Sequence, residues 1–275
     1  WSDRRMPVQP GEVGPGSLPG LSAGKGESLM FRLFGLFQRA GHELYLVGGA
    51  VRDHLRGMTL EELPDLDFAT SALPEESVRI LRGAGLPVFT VGSRFGTVGT
   101  ILDGEGVRRE VQVTTYRGEV YANGSRKPRV TFGTSLETDL ARRDFSINAV
   151  AMTADRRLVD PHGGARDLQE GILRTVGDPR TIFREDPLRT LRAARFIATL
   201  EMRPEPEVLE AVRELAGQIL TVSRERWLLE MNRLLQGVWV ESALGFLADT
   251  GLLKHLLPDA QAMVEFRADQ GKYHH

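Results

Sequence analysis

The chain has 275 residues, enough to bury the core of one large domain or two modest ones. Apolar residues make up 41% and charged residues 26%, a globular balance that excludes a wholly disordered or collagen-like chain. Because there is no cysteine, disulfide frameworks and thiolate metal sites are excluded, and we expect a cytoplasmic location. The net charge of −2 gives no overall signature of nucleic-acid binding, and no apolar run approaches the roughly 18 residues of a membrane span.

Residues 1–27 are rich in glycine, proline and serine, which predicts a flexible tail. From there to residue 166, apolar runs of strand length alternate with helical spacings, which predicts an α+β domain built on a mixed sheet. Strands are predicted at 44–47, 66–69, 87–90, 97–102 and 110–115, and helices at 28–40, after Gly48-Gly49 and at 74–83.

After about residue 166 the strand signals fade and long helical spacings follow. Helices are predicted at 186–198, 205–217, 223–235 and 242–251, with prolines at or near several of their starts. We therefore expect an all-α second domain over 167–237 and the start of a further helical region over 238–275. The last ten residues carry no helix stop signal, as expected of a chain that continues.

Two carboxylates, Asp65 and Asp67, stand two residues apart at a predicted strand. Residues i and i+2 of a strand point to the same face, so these side chains converge. Converging carboxylates repel unless a cation lies between them, and Mg²⁺ is the usual partner of such hard oxygen ligands. The alternative is a solvated turn after Pro64, because Asp-x-Asp alone is a weak signal.

Gly48 and Gly49 lie between a predicted strand and a predicted helix, where free backbone amides can bind a phosphate. Arg52, one turn into that helix, is placed to bind the same anion. A tight turn without a ligand is the alternative. Combined with Asp65 and Asp67, however, the turn describes a nucleotidyl-transfer site, in which two metal ions activate a hydroxyl and neutralise the leaving pyrophosphate.

A third carboxylate from a neighbouring strand often completes a site of this kind. Glu110, in the predicted strand 110–115, is the natural candidate. A solvated charge at the edge of a strand is an equally good interpretation of Glu110.

Five sequence blocks follow one another in a characteristic order. They are LVGGAVRD with DLDFAT, RRDFSINAVA, DPHGGARDLQEGILR, EDPLRTLRAARF and SRERWLLEMNRLL. In length and order they resemble the five motifs of the class II tRNA nucleotidyltransferases, the superfamily of CCA-adding enzymes and bacterial poly(A) polymerases. The resemblance implies a nucleotidyltransferase head over 28–166, a helical neck over 167–237 and the start of a body over 238–275.

The resemblance also implies roles for the residues of the first two blocks. Asp65 and Asp67 correspond to the metal-binding catalytic pair, and Gly48, Gly49 and Arg52 to the residues that hold the triphosphate.

The RRDF block corresponds to the motif that contacts the ribose, which implicates Arg143 and Asp144, with Asn148 one helical turn beyond. A carboxylate that accepts from ribose hydroxyls favours NTP over dNTP, because DNA precursors lack the 2′ donor. The alternative is an ordinary charge pattern at the start of a helix.

Asp186 and Arg189 in EDPLR correspond to the residues that select the base. On a helix starting at Glu185 they are i and i+3 neighbours on one face, and Glu185 is expected to orient the arginine. An acceptor beside a donor complements cytosine and adenine, whereas uracil and guanine present the reverse polarity. A common salt bridge at a helix start is the alternative.

The resemblance therefore implies a nucleotidyltransferase that extends the 3′ end of tRNA without a template, using ATP, with or without CTP, and two Mg²⁺ ions. A basic loop takes the place of a flexible loop that is short or missing in CC-only members, which favours a CCA-adding or A-adding enzyme. Its residues include Arg117, Tyr121, Arg126, Lys127 and Arg129. A poly(A) polymerase and a non-catalytic RNA-binding module are the alternatives. The sequence indicates no membrane association and no protein partner.

Overall fold

A mixed β-sheet organises the first half of the chain. The computed structural model describes residues 25–90, 96–104, 107–120, 129–132 and 135–263. Within them seven strands form one sheet in the order β3-β4-β5-β2-β1-β8-β9. These strands are β1 (Leu44–Val47), β2 (Leu66–Thr70), β3 (Val88–Thr90), β4 (Thr97–Gly104), β5 (Val107–Thr115), β8 (Ala151–Met152) and β9 (Leu158–Val159).

The pairing of β2 with β5 is parallel, and the other pairs of this sheet are antiparallel. The register sets Asp67 opposite Gln112, with Leu66 opposite Val111. Side chains alternate along β2: Leu66 and Phe68 are buried, whereas Asp67 is exposed on the other face. This alternation directs the carboxylate of Asp67 away from the core.

Three helices complete the head on the side of Leu66 and Phe68. They are α1 (Lys25–Arg39), α2 (Gly49–Leu55) and α3 (Pro74–Gly83). The ring of Phe34 in α1 meets that of Phe68 edge to face, with 5.4 Å between centroids. Helix α3 begins as its sequence predicts, with proline in its first turn and the Glu76 carboxylate accepting a hydrogen bond from the Leu73 amide at 2.9 Å.

Strands β6 (Arg117–Val120) and β7 (Arg129–Phe132) form a separate antiparallel ribbon. This ribbon flanks the basic loop of the sequence analysis, whose Tyr121, Arg126 and Lys127 lie outside the described residues. The same holds for residues 1–24 of the predicted tail and for the last twelve residues. Helix α4 (Leu136–Ala141) and a 3₁₀ turn over Ser146–Asn148 follow the ribbon.

The second half is helical, as the sequence predicts. Its helices are α5 (Gly164–Glu170), α6 (Pro179–Glu185), α7 (Leu188–Leu200), α8 (Pro206–Leu215), a 3₁₀ segment Ala216–Thr221, α9 (Arg224–Leu235), α10 (Val240–Asp249) and α11 (Leu252–Leu256). One small parallel pair interrupts the helices: β10 (Ile172–Leu173) lies beside β11 (Arg203–Pro204). The predicted α+β class is confirmed, with this pair as an addition to the helical neck.

The two halves share a hydrophobic core. Phe145 and Ile147 precede the predicted boundary at residue 166, yet both are fully buried among the helices of the second half. The ring of Phe145 packs edge to face on that of Phe196 in α7, with 5.5 Å between centroids. The segment around Phe145 therefore fixes the position of the neck against the head. No helix in the described part of the chain has the length and apolar character to cross a membrane.

Candidate active site

A cleft of about 600 Å³ opens between the polar face of the sheet and the helices of the neck. Its lining includes nine arginines and only three aspartates, so it carries a large excess of positive charge. The arginines are Arg52, Arg117, Arg142, Arg143, Arg189, Arg192, Arg195, Arg226 and Arg233, and the aspartates are Asp67, Asp144 and Asp186. A cleft of this composition favours a polyanionic ligand.

Asp67 lies in the cleft, on β2 at the edge of solvent. Solvent reaches its side chain, but the surrounding protein desolvates the carboxylate, and this desolvation raises the pKa of Asp67 above its ordinary value. The charge of Arg143 opposes the rise and that of Asp65 adds to it. Asp65 is exposed and immediately precedes β2. The repulsion between these two carboxylates is what a bound cation would relieve.

Glu110 shares the sheet face of Asp67, because Gln112 pairs with Asp67 and Glu110 lies two residues earlier on β5. Glu110 is exposed and does not line the cleft. Among the described residues no three histidine, aspartate or glutamate side chains form a ready-made metal site. Since Mg²⁺ is commonly held by one or two carboxylates together with waters and substrate phosphates, Asp65 and Asp67 nonetheless fit this ion.

Gly48 provides the turn from β1 into α2. Its φ of 70° is unfavourable for other residues, and a Cβ at this position would lie 2.9 Å from Nη1 of Arg143. Glycine therefore allows the Arg143 guanidinium to lie against the backbone at the start of α2. Gly48 and Gly49 both line the cleft, where the sequence analysis placed a phosphate.

Arg52 lines the cleft but is held on several sides. Its Nε and Nη2 each donate to the carboxylate of Asp53 at 2.9 Å, and its Nη1 donates to Oδ1 of Asn148 at 2.9 Å. The guanidinium also lies 5.4 Å from the centre of the Phe196 ring. Arg52 thus connects α2 of the head to the Ser146–Asn148 turn and to α7.

Asp144 is buried and lies at the centre of a charge network between head and neck. One oxygen accepts from Phe145 N and Asn148 Nδ2, and the other accepts from Arg192, with 2.6 Å between Oδ2 and Nη2. Burial alone would raise the pKa of Asp144, but the charge of Arg192 and these hydrogen bonds lower it below its ordinary value. Asp144 is therefore ionised, and each of its oxygens accepts at least one hydrogen bond.

Glu230 of α9 completes this network from the opposite side. Its Oε1 lies 3.3 Å from Nη1 of Arg192, and its Oε2 lies 3.1 Å from Nε of Arg195. The second contact is an ion pair without hydrogen-bond geometry. Burial, together with the neighbouring charge of Arg192, lowers the pKa of Arg195 to about 10. Glu230 offsets part of this effect and keeps two cleft arginines in place.

Asp139 of α4 holds two further cleft arginines in place, on the head side of the cleft. Its carboxylate is buried and pairs with Arg142 at 2.9 Å and with Arg143 at 3.1 Å. Burial would raise its pKa, but the charges of Arg143 and Arg142 lower it below the ordinary value. The two arginines are thereby held at the wall of the cleft.

Asp186 and Arg189 both line the cleft, but their predicted geometry is wrong in one respect. Asp186 is not part of a helix: it is extended, with φ −142° and ψ 101°, between α6 and α7. Pro187 explains this, since the residue before a proline avoids the helical conformation. Asp186 accepts a hydrogen bond from Arg226 of α9 at 2.7 Å, so its ion-pair partner is not Arg189.

Arg189 is oriented by Glu185, as the sequence analysis expects of that glutamate. Arg189 Nη1 donates to the Glu185 carboxylate at 2.8 Å and to Ile182 O at 3.1 Å, and Nη2 donates to Arg142 O at 3.2 Å. The guanidinium is therefore fixed by the neck and touches the head, at the wall of the cleft opposite the sheet.

Comparison with known proteins agrees with this arrangement. The family model of the poly(A) polymerase head domain matches residues 44–174, and that of the probable RNA- and SrmB-binding site of polymerase A matches residues 201–263. The CCA-adding enzyme of Geobacillus sp. (strain WCH70) is 41% identical over 220 residues, which are 80% of this chain and 52% of that enzyme. The chain belongs to the superfamily of CCA-adding enzymes and poly(A) polymerases.

Solved structures of the superfamily have the same fold. The Bacillus stearothermophilus CCA-adding enzyme in complex with CTP superposes with a TM-score of 0.72 at 38% identity, covering 82% of this chain and 53% of that one. A tRNA nucleotidyltransferase complexed with a primer tRNA and an incoming ATP analog superposes with a TM-score of 0.63 at 26% identity. The match covers 82% of this chain and 62% of that one. The chain spans about half the length of the curated relatives it matches.

The structure brings most of the predicted superfamily site into one cleft. Nine predicted residues line it: Gly48, Gly49, Arg52, Asp67, Arg143, Asp144, Asn148, Asp186 and Arg189. Asp65, Glu110 and Glu185 lie outside its lining, the first two on the side of Asp67 and the third behind Arg189.

Sequence reasoning missed Arg192, Arg195 and Glu230. The first two follow Arg189 at intervals of three in the EDPLRTLRAARF block, so a helical repeat of arginine was visible in the sequence. Glu230 gave no such signal, because its contact with Arg192 depends on the packing of α9 against α7.

Proposed function

We propose that this chain is the catalytic part of a tRNA nucleotidyltransferase that adds nucleotides to the 3′ end of tRNA without a nucleic-acid template. The observation that carries the proposal is the strongly basic cleft, with Asp67 on the sheet wall and Asp186 and Arg189 on the neck wall. The relatives named as CCA-adding enzymes support it, as do their solved complexes with CTP and with a primer tRNA and an ATP analog.

In the proposed reaction the 3′-hydroxyl oxygen of the tRNA attacks the α-phosphorus of the NTP. The new bond joins that oxygen to the α-phosphorus, and the bond between the α-phosphorus and the α–β bridging oxygen breaks. Pyrophosphate leaves with that bridging oxygen, and the hydroxyl proton passes to solvent water. Asp65 and Asp67 would hold Mg²⁺, which when bound supplies activation of the hydroxyl and neutralises charge on the leaving group. Glu110, on the same sheet face, is the proposed third carboxylate.

The head side of the cleft is proposed to bind the triphosphate. The Gly48 amide donates to Val150 O at 3.3 Å, so the proposed contacts with the phosphates come from Gly49 and from the guanidinium of Arg143, which lies directly over Gly48. Arg52 contributes positive charge, although its nitrogen atoms are already bonded to Asp53 and Asn148. This arrangement places fixed cations where a pyrophosphate would leave.

Ribose recognition is proposed for the Arg143–Asn148 segment. Because both oxygens of the buried Asp144 carboxylate already accept hydrogen bonds, from the Phe145 amide, Asn148 and Arg192, we assign Asp144 a positioning role. Arg143 lines the cleft and can donate to a 2′-hydroxyl oxygen.

Base selection is proposed for the neck wall. Arg189, held by Glu185, presents a fixed donor, and Asp186 presents an acceptor beside it. This pair complements cytosine and adenine, while uracil and guanine would leave buried polar groups unpaired. Oδ2 of Asp186 accepts from Arg226 and Oδ1 accepts from the Leu188 amide at 3.2 Å, so these two contacts set the direction of the carboxylate that is proposed to accept from the base.

One assay tests the function and separates the alternatives. The chain is incubated with Mg²⁺, labelled ATP or CTP, and tRNA acceptors ending before C74, at C74 or at C75. We expect addition limited to the missing nucleotides of the CCA end. ATP label on the C75 acceptor with no CTP label on the two shorter acceptors identifies an A-adding enzyme, and long A tracts identify a poly(A) polymerase. Binding of the acceptors without any incorporation would contradict the proposal and favour an RNA-binding module.

A further inference from the structure

A second cleft of about 460 Å³ lies beside the first, where the head meets the back of the neck. It is bounded by the C-terminal end of α2, by α7 and by the C-terminal end of α9. Residues that carry its chemistry are Arg52, Asp53, Arg56, Arg195, Arg233 and Gln236. Of the residues predicted from the sequence to form the functional site, Arg52 lines this second cleft. The cleft itself has no role in the function proposed above.

The two clefts are continuous in position and in charge. Arg52, Arg195 and Arg233 line both of them. The second cleft contains four arginines against one aspartate, Asp53, and both of its oxygens already accept from Arg52. Positive potential therefore extends from the proposed reaction site around the edge of α7 onto the outer surface.

Two of these arginines differ from those that hold the head–neck network. Arg56 and Arg233 are exposed, and their side chains have no ion pair or hydrogen bond within the part of the chain that the structure describes. Arg52 and Arg195, by contrast, form ion pairs with Asp53 and Glu230 respectively. Arg56 and Arg233 are thus available to an anion that arrives from solvent.

The simplest alternative is that Arg56 and Arg233 only stabilise the helix ends by interacting with the helix dipoles. Arg56 directly follows α2 and Arg233 lies in the last turn of α9, and a cation at a helix C-terminus is mildly stabilising. That explanation accounts for each residue separately. It does not account for their meeting across one cleft, from separate domains, beside the exposed amide of Gln236.

We propose that this cleft binds the phosphodiester backbone of the acceptor RNA, upstream of the 3′ end that enters the reaction site. The inference rests on the proposed function and adds the route of the RNA. Since the triphosphate is assigned to the head wall around Gly48 and Arg143, the polynucleotide must leave the reaction site by another path. The second cleft supplies cations along such a path, and backbone contacts of this kind bind without reading sequence.

The test uses the purified 275-residue chain and a fluorescent tRNA acceptor that lacks its CCA end. Binding is measured by anisotropy from 50 to 250 mM salt for wild type, Arg56→Gln, Arg233→Gln and the double variant. The matched control is Arg82→Gln, because Arg82 is an exposed arginine in the last turn of α3 and lines neither cleft. Thermal unfolding is recorded for each variant, so that an effect on the helix dipole is seen separately.

We expect the double variant to bind the acceptor about tenfold more weakly at 100 mM salt, with the salt slope reduced by about 1.4, or about 0.7 for each lost phosphate contact on a single strand. In Arg56→Gln alone, affinity for ATP and inhibition by inorganic pyrophosphate should stay within about twofold of wild type, because Arg56 does not line the first cleft. Acceptor binding and salt slope equal to those of Arg82→Gln would overturn the inference. A loss confined to pyrophosphate binding would overturn it as well.

The outcomes also separate this inference from the proposed function. A wild-type chain that binds the acceptor through this cleft but transfers no nucleotide contradicts only the function. A wild-type chain that transfers nucleotides while the double variant binds as well as wild type contradicts only the RNA route. Failure of the wild type to bind any acceptor contradicts both.

Discussion

Asp144 and Arg192 are 48 positions apart in sequence, yet 2.6 Å separates their side chains, and this ion pair joins the head to α7 of the neck. Asp144 is buried, and Arg192 also reaches Glu230 on α9. The two walls of the active-site cleft are therefore fixed relative to each other by one arginine between two carboxylates. Misplacement of either wall would alter the distance between the proposed catalytic carboxylates and the proposed base-selecting pair.

Replacing Asp144 with Asn should destabilise the protein strongly. The change leaves Arg192 partly buried with only Glu230 as a charged partner, and breaking a buried pair costs about 3 kcal/mol. The free energy of unfolding in urea measures this. Asp155→Asn is the control, because the Asp155–Arg157 pair is exposed and should contribute less than about 1 kcal/mol. Equal losses in the two variants would contradict the role of the Asp144 network.

The contribution of Asp144 should depend on pH in a defined direction. Its pKa is lower in the folded chain than the ordinary value of 3.8, so the unfolded chain binds more protons as the pH falls through that value. The stabilisation is therefore complete at neutral pH and is lost as the pH falls toward the folded pKa. The difference in unfolding free energy between wild type and Asp144→Asn should be constant from pH 7 to 5 and shrink below about 4. A difference that stays constant or grows as the pH falls below 4 would show that the pKa is not lowered.

Gly164→Ala should destabilise the fold by about 2–3 kcal/mol through overpacking. A Cβ at Gly164 would lie 2.0 Å from the carbonyl oxygen of Ser146, a rigid backbone atom next to the Asp144 network. Gly177→Ala is the matched control, because a Cβ at that exposed position meets nothing within 4 Å. Urea unfolding of both variants measures the difference. A Gly164→Ala protein as stable as Gly177→Ala would show that α5 moves away from Ser146 at little cost.

Arg189→Ala should reduce the use of ATP as a substrate. The preference for ATP over UTP and GTP should fall by about tenfold. The expected loss of discrimination corresponds to the loss of one or two hydrogen bonds to the base. Each costs about 1–3 kcal/mol where the partner is left unpaired. Competition among all four NTPs on one tRNA acceptor measures it. Arg180→Gln serves as the control, since Arg180 also pairs with neck glutamates but lies outside the cleft. Unchanged discrimination would assign base selection to another part of the cleft.

Glu185→Gln tests the same base discrimination with a milder change. It keeps the shape of the side chain that orients Arg189 but removes the charge from a 2.8 Å contact. We expect a smaller loss of discrimination than in Arg189→Ala, with an unchanged affinity for tRNA. A loss larger than that of Arg189→Ala would mean that Glu185 contacts the base itself.

The sequence predicted local elements well where local chemistry decides them. The bounds predicted for β1 (Leu44–Val47) and α3 (Pro74–Gly83) are those observed, because a short apolar run and a proline in the first helical turn are sufficient signals. The error at Asp186 was also local. The proline that follows it forces an extended conformation, and this rule was available from the sequence alone.

The arrangement of the cleft could be predicted only in part. The motif blocks identified nine residues of its lining, but not the partners that hold them. Arg192, Glu230 and Asp139 act through contacts between elements that are distant in sequence, and one sequence without coordinates does not determine such distances. The hydrogen bonds to both oxygens of Asp144 also became visible only with the structure, and they change the proposed role of that residue from ribose contact to positioning.

The most direct test of the central claim is nucleotide incorporation by Asp67→Asn. Asp67 lines the cleft on the face of β2 that points away from the core, so its loss should remove proposed metal binding without disturbing the fold. Asp103→Asn, an exposed aspartate on β4 outside the cleft, is the control. With Mg²⁺, ATP and tRNA ending at C75, we expect Asp103→Asn to incorporate AMP like wild type. Asp67→Asn should incorporate almost none while binding tRNA within a few-fold of wild type. Incorporation by Asp67→Asn at a rate near that of Asp103→Asn would contradict the assignment of this cleft as the site of nucleotidyl transfer.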